Sequence, residues 1–263
     1  MKWIYRCTIV FIAMSMAGVY TPSAALNNSS LVSSRWQQKS WRPVLAIGGG
    51  TYITSHVGQS QTFPIQDPDI DEFYDYSTNH VSQTAGLFNA FIGTEWTVYP
   101  SWLLQAGFDY NQTSSLYTNG VLTQGADAHS ENIYSYHYNV VTRQLLLAGK
   151  LLYTFKQYFH PFVFVGLGES FNQASNFSTN VPPFLTFTRV YQANNTNSFS
   201  YAAGVGLDVD LTDNLRFGIS YRYTDLGKVQ LGSASIDVDS VPGTLSQSNL
   251  YANQLLAQVT LVI

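Results

Sequence analysis

Cysteine is nearly absent from this chain of 263 residues, and the single one, Cys7, lies in an N-terminal segment with the pattern of an export signal. Lys2 and Arg6 precede an apolar core, and the small residues at 23–25 form a cleavage site. We therefore predict a cleaved signal peptide over residues 1–25. A retained membrane anchor is the alternative, but the apolar run is short for a span. Once the signal is removed, no cysteine remains for disulfides, thiol catalysis or metal ligation.

Charge is also scarce, since only 11% of the residues are charged and the net charge at pH 7 is −4. This balance excludes nucleic acid as a partner, because proteins that bind it carry a basic patch or stripe. After the export signal the sequence has no long apolar run, yet 45% of the chain is hydrophobic and 15% is aromatic. This composition argues against a helical membrane protein and against a disordered chain.

What the sequence does contain is a strict alternation of apolar and polar residues. Over 199–211 every odd position is apolar and every even one is small or acidic, and after a turn at 212–214 the alternation resumes over 215–223. A period of two predicts β-strands. Each strand reaches the length of about 9–11 residues that a tilted strand needs to cross a bilayer. The pattern therefore predicts a transmembrane hairpin.

The same pattern recurs along the chain and predicts eight strands, joined alternately by short and long connections. The predicted long loops cover residues 56–81, 112–135, 172–197 and 225–248, and the predicted short turns cover 99–101, 156–160 and 212–214. This asymmetry is typical of barrels with short periplasmic turns and long external loops. We predict an all-β fold, a transmembrane eight-stranded antiparallel up-and-down β-barrel over residues 43–263, preceded by a periplasmic leader at 26–42. The fifth strand, 161–171, is apolar on both faces, so its phase is not assigned.

Each predicted strand turns one face toward the barrel interior, the lumen, and the other toward lipid. The charged residues on the inward faces are Glu95, Asp109, Lys150, Asp208, Asp210, Arg216 and Arg222. Because a barrel of this size is filled by its own side chains and buried charges need partners, we predict a structural plug of salt bridges. The alternatives are an ion or proton path through the lumen and catalytic acid–base use of these charges. The aromatic residues that we expect in girdles at the two membrane interfaces are Trp96, Tyr99, Trp102, Tyr153, Tyr158, Tyr201, Tyr221, Tyr223 and Tyr251.

Motifs for catalysis or metal binding are weak. The acidic run at 67–72 imitates the start of a calcium loop, but Glu72 occupies the position that requires glycine and Thr78 the position that requires glutamate. The five histidines lack metal-ligand spacing. The His-Ser-Glu sequence at 129–131 cannot form a relay, because adjacent loop residues point apart. We predict no catalytic residue, no cofactor and no metal site, and the acidic run is interpreted as a solvated loop with at most a loose divalent-cation contact to lipopolysaccharide.

The sequence YRYTDLG at 221–227, after LRFG at 215–218, resembles the end of the seventh strand in opacity-type and OmpA-like outer-membrane β-barrels of Gram-negative bacteria. The glycine-containing strands and the export signal resemble these small eight-stranded proteins too. The chain departs from their pattern in ending on Ile263, because such barrels usually end on an aromatic residue that assists assembly. It also leaves no sequence after the barrel for a peptidoglycan-binding domain.

The resemblance implies an integral protein of the cell outer membrane that contacts membrane lipid and lipopolysaccharide. Its function would be structural or adhesin-like, as in a surface antigen, with host or cell-surface ligands bound by the external loops and no enzymatic activity. The alternative is a narrow, porin-like channel for ions or small apolar molecules. A secreted carrier with a lipocalin-like barrel is a third candidate, but the apolar outer faces of the predicted strands argue against it.

Overall fold

A computed structural model describes residues 41–64, 73–79, 81–125, 132–182, 188–236 and 239–263. The predicted signal peptide and most of the predicted leader lie outside these residues. The described part is built from strands and contains no helix that is long and apolar enough to cross a membrane. The strands, numbered in chain order, are β1 Trp41–Thr54, β2 Gln61–Pro64, β3 Phe73–Thr78, β4 Gln83–Tyr99, β5 Trp102–Thr113, β6 Leu116–Gly125, β7 Asn132–Tyr153, β8 Phe159–Thr179, β9 Val190–Tyr191, β10 Asn194–Asp210, β11 Leu215–Asp225, β12 Val229–Gln230, β13 Ala234–Ile236, β14 Asp239–Val241, β15 Ser246–Gln247 and β16 Tyr251–Val262.

Eight of these strands close into a barrel. Going round the ring, β1, β4, β5, β7, β8, β10, β11 and β16 pair antiparallel with their neighbours. The ring closes where β1 pairs with β16, with Val44 opposite Val262. The prediction of an eight-stranded antiparallel barrel is therefore confirmed. The first strand begins at Trp41, two residues before the predicted start of the barrel.

The barrel strands bury one face and expose the other, as their alternation predicts. In β7, Leu145 and Leu147 are exposed to the outside, while Gln144 and Leu146 are fully buried in the lumen. In β8, the strand whose phase the sequence left unassigned, the odd residues from 163 to 167 face out. Phe162 faces inward, and the ammonium group of Lys150 lies 3.8 Å from its ring centroid. This cation–π contact explains why an aromatic residue occupies a position in the lumen.

The structure shows strands within the segments that the sequence predicted as long loops, residues 56–81, 112–135, 172–197 and 225–248. Strands β7 and β8, of 22 and 21 residues, are far longer than a membrane crossing needs and project beyond the barrel. There β6 pairs with β7, β3 pairs with β6, and β2 pairs with β3. These segments are rich in Ser, Thr, Asn and Tyr, so their alternation is one of tyrosine against hydroxyl and amide side chains. Such a composition is more typical of loops than of membrane-spanning strands.

We call this projecting part the cap. It comprises β2, β3, β6, β9 and β12–β15, together with residues 132–140 of β7 and 174–179 of β8, and it lies at the end of the barrel that carries the long connections. A buried core joins it to the barrel. The core is formed by Tyr52, Val57, Tyr74, Tyr76, Ala85, Leu87, Leu116, Leu122, Tyr136, Tyr138, Val140, Ala174, Tyr191, Leu226, Val229, Leu231, Ala234, Leu245, Leu250, Ala252 and Leu256.

A bulge in β8 decides which of its side chains face the cap core. The register of the β7–β8 pairing shifts between His137 and Asn139, where β8 contributes one residue more than β7. At this point Asn176 has a φ of 58°, in the left-handed region that Asn tolerates better than other non-glycine residues. The extra residue reverses the inward–outward alternation. As a result, Phe177 packs against the cap core instead of facing out.

Candidate functional site

At the lumen end near the short turns, the predicted inward charges form a connected network. The buried carboxylate of Glu95 accepts hydrogen bonds from the guanidinium groups of Arg216 and Arg42. Arg216 also donates from Nε to Asp210 Oδ1 over 2.7 Å, and His160 Nε2 lies 2.9 Å from Asp210 Oδ2. Arg42 and His160 were not among the predicted lumen residues. The sequence assigned Arg42 to the leader and His160 to a turn, whereas both residues lie in strands whose inward positions continue to the barrel rim.

Two further ion pairs lie deeper in the lumen. Lys150 Nζ is 2.5 Å from Asp208 Oδ2, and both side chains are almost completely buried. Arg222 Nη1 is 3.2 Å from Asp109 Oδ2, and Asp109 also accepts a hydrogen bond of 3.0 Å from Asn89 Nδ2. The structure therefore brings all seven predicted lumen charges into ion pairs with one another. Each cation pairs with an anion on another strand. The odd–even alternation along one strand shows which side chains face inward, but it does not identify their partners on other strands.

Above the ion pairs the lumen is filled by amides and hydroxyls. Gln144 Nε2 donates to Ser200 Oγ over 2.6 Å and to Thr224 Oγ1 over 2.8 Å. Its carbonyl oxygen accepts a hydrogen bond of 3.3 Å from Asn111 Nδ2. The apolar core of the cap follows beyond this layer. From one end to the other, the lumen thus passes from ion pairs, which lie among buried apolar side chains such as Leu146 and Phe162, through neutral polar groups to the apolar core of the cap.

Between the ion pairs lies a cavity of about 10 Å³, which is room for about one water molecule. Its lining residues are Phe91, Gln105, Asp109, Lys150, Phe164, Arg222 and Gln258. The volume of this cavity is far below the few hundred Å³ of a typical small-molecule site.

Arg189 connects separate parts of the cap, although no pattern in the sequence pointed to it. Its side chain is 2% exposed. Nη1 donates to the carbonyl of Pro242 over 2.8 Å and Nη2 to the carbonyl of Pro64 over 3.2 Å. The guanidinium also lies 4.8 Å from the ring centroid of Phe63 and 5.2 Å from that of Tyr74. These partners are distant in sequence, so only the folded chain reveals the contact.

An aromatic cluster surrounds Tyr76 inside the cap. Its ring centroid lies 5.3 Å from that of Tyr136 and 5.8 Å from that of Tyr191, in edge-on arrangements that favour aromatic pairs. Burial raises the pKa of Tyr136 to about 12 and raises the pKa of Tyr76 further. Buried phenols and packed rings indicate that the cap is a folded unit rather than a set of separate loops.

The predicted girdle residues lie on the outside of the barrel in two groups. Trp96, Tyr99, Trp102, Tyr153 and Tyr158 are near the short turns, and Tyr201, Tyr221, Tyr223 and Tyr251 are toward the cap. All are exposed except Trp96 and Tyr201, which are half-buried. The ring centroids of Tyr223 and Tyr251 are 6.0 Å apart with nearly parallel planes.

The described residues contain no cluster of three or more His, Cys, Asp or Glu side chains that could hold a metal ion. The acidic run at 67–72 and the His-Ser-Glu sequence at 129–131 lie outside the described part of the chain. Asp75, which follows the acidic run, accepts a hydrogen bond of 2.7 Å from Thr62 Oγ1 in the neighbouring strand.

Comparison with known proteins gives a family match over nearly the whole chain. The family model described as outer membrane protein beta-barrel domain matches residues 30–260. Similar solved structures include the outer membrane protein OprG from Pseudomonas aeruginosa, at 12% identity over 82% of this chain and 95% of that one, with a TM-score of 0.45. The outer membrane protease OmpT from Escherichia coli is similar at 9% identity over 86% and 99%, with a TM-score of 0.43. Neisserial surface protein A is similar at 11% identity over 85% and 97%, with a TM-score of 0.40. No curated protein matches this sequence.

Proposed function

The chain belongs to the outer membrane protein β-barrel family, and on that premise we propose that it is a non-enzymatic surface protein of the outer membrane that contacts its partners through the cap. In this family the short turns face the periplasm and the long connections face outward. The cap is then the external part of the molecule. The observation that carries the proposal is the single buried core that joins all four long connections to the top of the barrel.

A folded cap supports binding because it presents a fixed surface. Loops held on a rigid scaffold lose little conformational entropy when a partner binds. In this cap, Arg189 bonds to carbonyls in two other connections, and the ring of Tyr76 packs against aromatic rings of β2, β7, β8 and β9. These contacts hold the exposed backbone in place before any partner arrives. The partners we propose are host or cell-surface molecules, in addition to membrane lipid and lipopolysaccharide around the barrel.

The lumen supports a structural role better than a transport role. Its charges are paired with one another, its described cavity holds about one water molecule, and the apolar core covers its external end. Acids and bases that already bind each other are also poorly placed for acid–base catalysis on a substrate. The competing proposal, a narrow channel, requires a continuous water path through all three layers.

The proposal is tested with refolded protein in lipid nanodiscs, applied to arrays of extracellular glycans and cell-surface proteins. The matched control replaces residues 57–81 and 115–131 by short Gly/Ser turns, which removes β2, β3 and β6 and leaves the eight barrel strands. We expect the intact protein to bind a partner that the trimmed barrel does not bind. Equal binding by both proteins, or binding by neither, would contradict a role for the cap.

Planar bilayer recordings test the competing channel. We expect the intact protein to be silent, because the charged lumen groups are paired and the external end is apolar. Steady unitary currents that change in Glu95→Gln would support the channel and remove the basis of the proposed structural lumen.

A further inference from the structure

Arg189 places a positive charge inside the cap without a carboxylate beside it. Its side chain is buried, and it forms no ion pair with any residue that the structure describes. The other lysine and arginine side chains that are buried to a similar degree in the described part each pair with a carboxylate of the lumen: Lys150, Arg216 and Arg222. Burying an unpaired charge costs several kcal/mol, so an anion bound next to Arg189 would stabilise the cap.

The contacts of the guanidinium leave its Nε without a partner. Nη1 and Nη2 donate to the carbonyls of Pro242 and Pro64, and the rings of Phe63 and Tyr74 lie against the guanidinium. Nε is buried and has no hydrogen-bond partner among the described residues. Carbonyl dipoles and ring faces reduce the cost of burial, but they supply no full negative charge. The side chain therefore keeps both a donor and a charge for a further group.

Two phenol groups lie beside this guanidinium. Tyr76 and Tyr191 are almost completely buried, and both belong to the aromatic cluster of the cap. Burial raises the pKa of both phenols, and the positive charge of Arg189 acts in the opposite direction on both, as expected for hydroxyls close to it. The two hydroxyls lie near each other, yet neither forms a hydrogen bond of normal geometry with a described residue. Together with Nε they provide three buried donors around one positive charge.

Phe63 lies on the solvent side of this group. Of the two rings against the guanidinium, that of Tyr74 is fully buried, whereas that of Phe63 is half-buried. Phe63 belongs to β2, which is the edge strand of its sheet and pairs with β3 alone. Its side chain can therefore move aside without breaking the pairing of any other strand, and a small ligand can reach Arg189 by this route.

We propose that the cap contains a binding site for a carboxylate group, to which Arg189 Nε, Tyr76 OH and Tyr191 OH donate hydrogen bonds. A carboxylate fits this site because it brings one negative charge for one guanidinium and has two oxygens that accept several hydrogen bonds. A phosphate dianion would bring a second negative charge, which no described residue next to Arg189 neutralises. The inference rests on the proposed function and deepens it, since it names the chemical group that a partner presents to the cap.

The test observes Arg189 directly, by NMR of protein with isotope-labelled arginine in micelles at neutral pH. The Nε–H signal of Arg189 is identified by its loss in Arg189→Lys. We expect sodium acetate to shift this signal until the site is saturated, and sodium chloride at the same ionic strength to leave it in place. Phe63→Ala opens the route to the site, so a signal that responds to acetate neither in this variant nor in the unmodified protein would overturn the proposal. An equal response to phosphate would overturn the assignment to a carboxylate.

The two phenol donors are tested by removing their hydroxyls and keeping their rings. We expect Tyr76→Phe and Tyr191→Phe each to weaken acetate binding by about fivefold, because one hydrogen bond contributes about 1 kcal/mol. Tyr138→Phe removes the hydroxyl of another buried tyrosine of the cap core and is the matched control, with acetate affinity expected to stay the same. An equal loss in all three variants would overturn the assignment of these two donors.

The chain also has carboxylates of its own close to this site in sequence, because the acidic run at 67–72 follows Pro64. A response to acetate that appears only in Asp67→Asn/Asp69→Asn/Asp71→Asn/Glu72→Gln would identify the chain itself as the source of the anion and overturn an external ligand. The acetate titration needs no macromolecular partner. It can therefore fail while the array experiment succeeds, or succeed while that experiment fails, so the two proposals are tested separately.

Discussion

At the scale of single residues, the buried pair Lys150–Asp208 shows how strongly a lumen charge depends on its partner. Both side chains are almost completely removed from solvent, and the ammonium group also lies over the ring of Phe162. Asp208 Oδ1 lies close to Gly218, where an added methyl group would come within 2.2 Å of it. Among the described residues, Lys150 is the one cation that forms an ion pair with Asp208.

We therefore expect Lys150→Met to destabilise the barrel by about 3–5 kcal/mol, the usual cost of leaving one buried charge unpaired. Urea unfolding of the refolded protein in micelles, followed by tryptophan fluorescence, measures the effect. The double variant Lys150→Met/Asp208→Asn removes both charges and should recover most of the lost stability. A single variant as stable as the unmodified protein would show that Asp208 is neutral or solvated.

The sequence could predict which charged residues face the lumen, because alternation assigns each side chain to a face. It could not predict their partners, because an ion pair such as Glu95–Arg216 joins residues 121 positions apart in the chain. It also placed Arg42 and His160 outside the lumen, since both lie where strands approach the predicted ends. Arg189 was missed for a related reason: its partners are backbone carbonyls and ring faces, which leave no pattern in a sequence.

At the scale of elements, strands that cross the membrane were easier to predict than strands that leave it. Lipid selects a strictly apolar outer face, so β10 and β11 are evident from their alternation. The outer face of the cap contacts water. The buried face of β3 consists of tyrosine and threonine and that of β6 mixes leucine with threonine and glycine, so both strands resemble polar loops in sequence. The sequence of β8 did not show which of its faces points inward, because aromatic residues occur on both. The inward phenylalanines are explained by their stacking on lumen cations.

The bulge in β8 gives a prediction about the cap alone. Asn176→Gly should be tolerated, because glycine readily adopts the left-handed φ observed there. Asn176→Val should cost about 1–2 kcal/mol or more, because a β-branched residue is strained in that conformation.

Hydrogen exchange resolved by mass spectrometry measures this effect. In Asn176→Val we expect faster exchange in β3 and β6, which depend on the packing of Phe177, and unchanged exchange in β1 and β16 on the far side of the barrel. Equal protection of β3 and β6 in both variants would show that the bulge does not hold the cap core together.

At the scale of the whole molecule, the barrel and the cap share strands but differ in what stabilises them. The lumen of the barrel contains ion pairs, whereas the cap core contains buried phenols. Because burial raises the pKa of Tyr136 to about 12, the folded cap retains this proton more tightly than the unfolded chain does, and the same holds for Tyr76. The resulting stabilisation is complete below pH 10 and is lost as the pH rises through about 12.

We therefore expect the cap to loosen at a lower alkaline pH than the barrel. Absorbance at 295 nm reports phenol ionisation, and circular dichroism reports the strands. A titration step near pH 12 should disappear in Tyr136→Phe, and the cap of this variant should persist to higher pH. If the barrel and the cap unfolded in one transition at the same pH, the prediction that the cap unfolds before the barrel would be wrong.

The pairing of β1 with β16 has a consequence for the time course of assembly. Val44 and Val262 are neighbours in space although almost the whole described chain separates them, so this seam carries the highest contact order in the protein. The other seven pairings of the ring join strands that follow one another along the barrel, and each can form as soon as its second strand is available. Only the seam joins the first and the last strand of the ring, and there the backbone amide of Ile263 bonds to the carbonyl of Pro43. We therefore expect closure of the cylinder to be the last step of folding, so that β1 and β16 stay open edges until then, on which other chains can add strands.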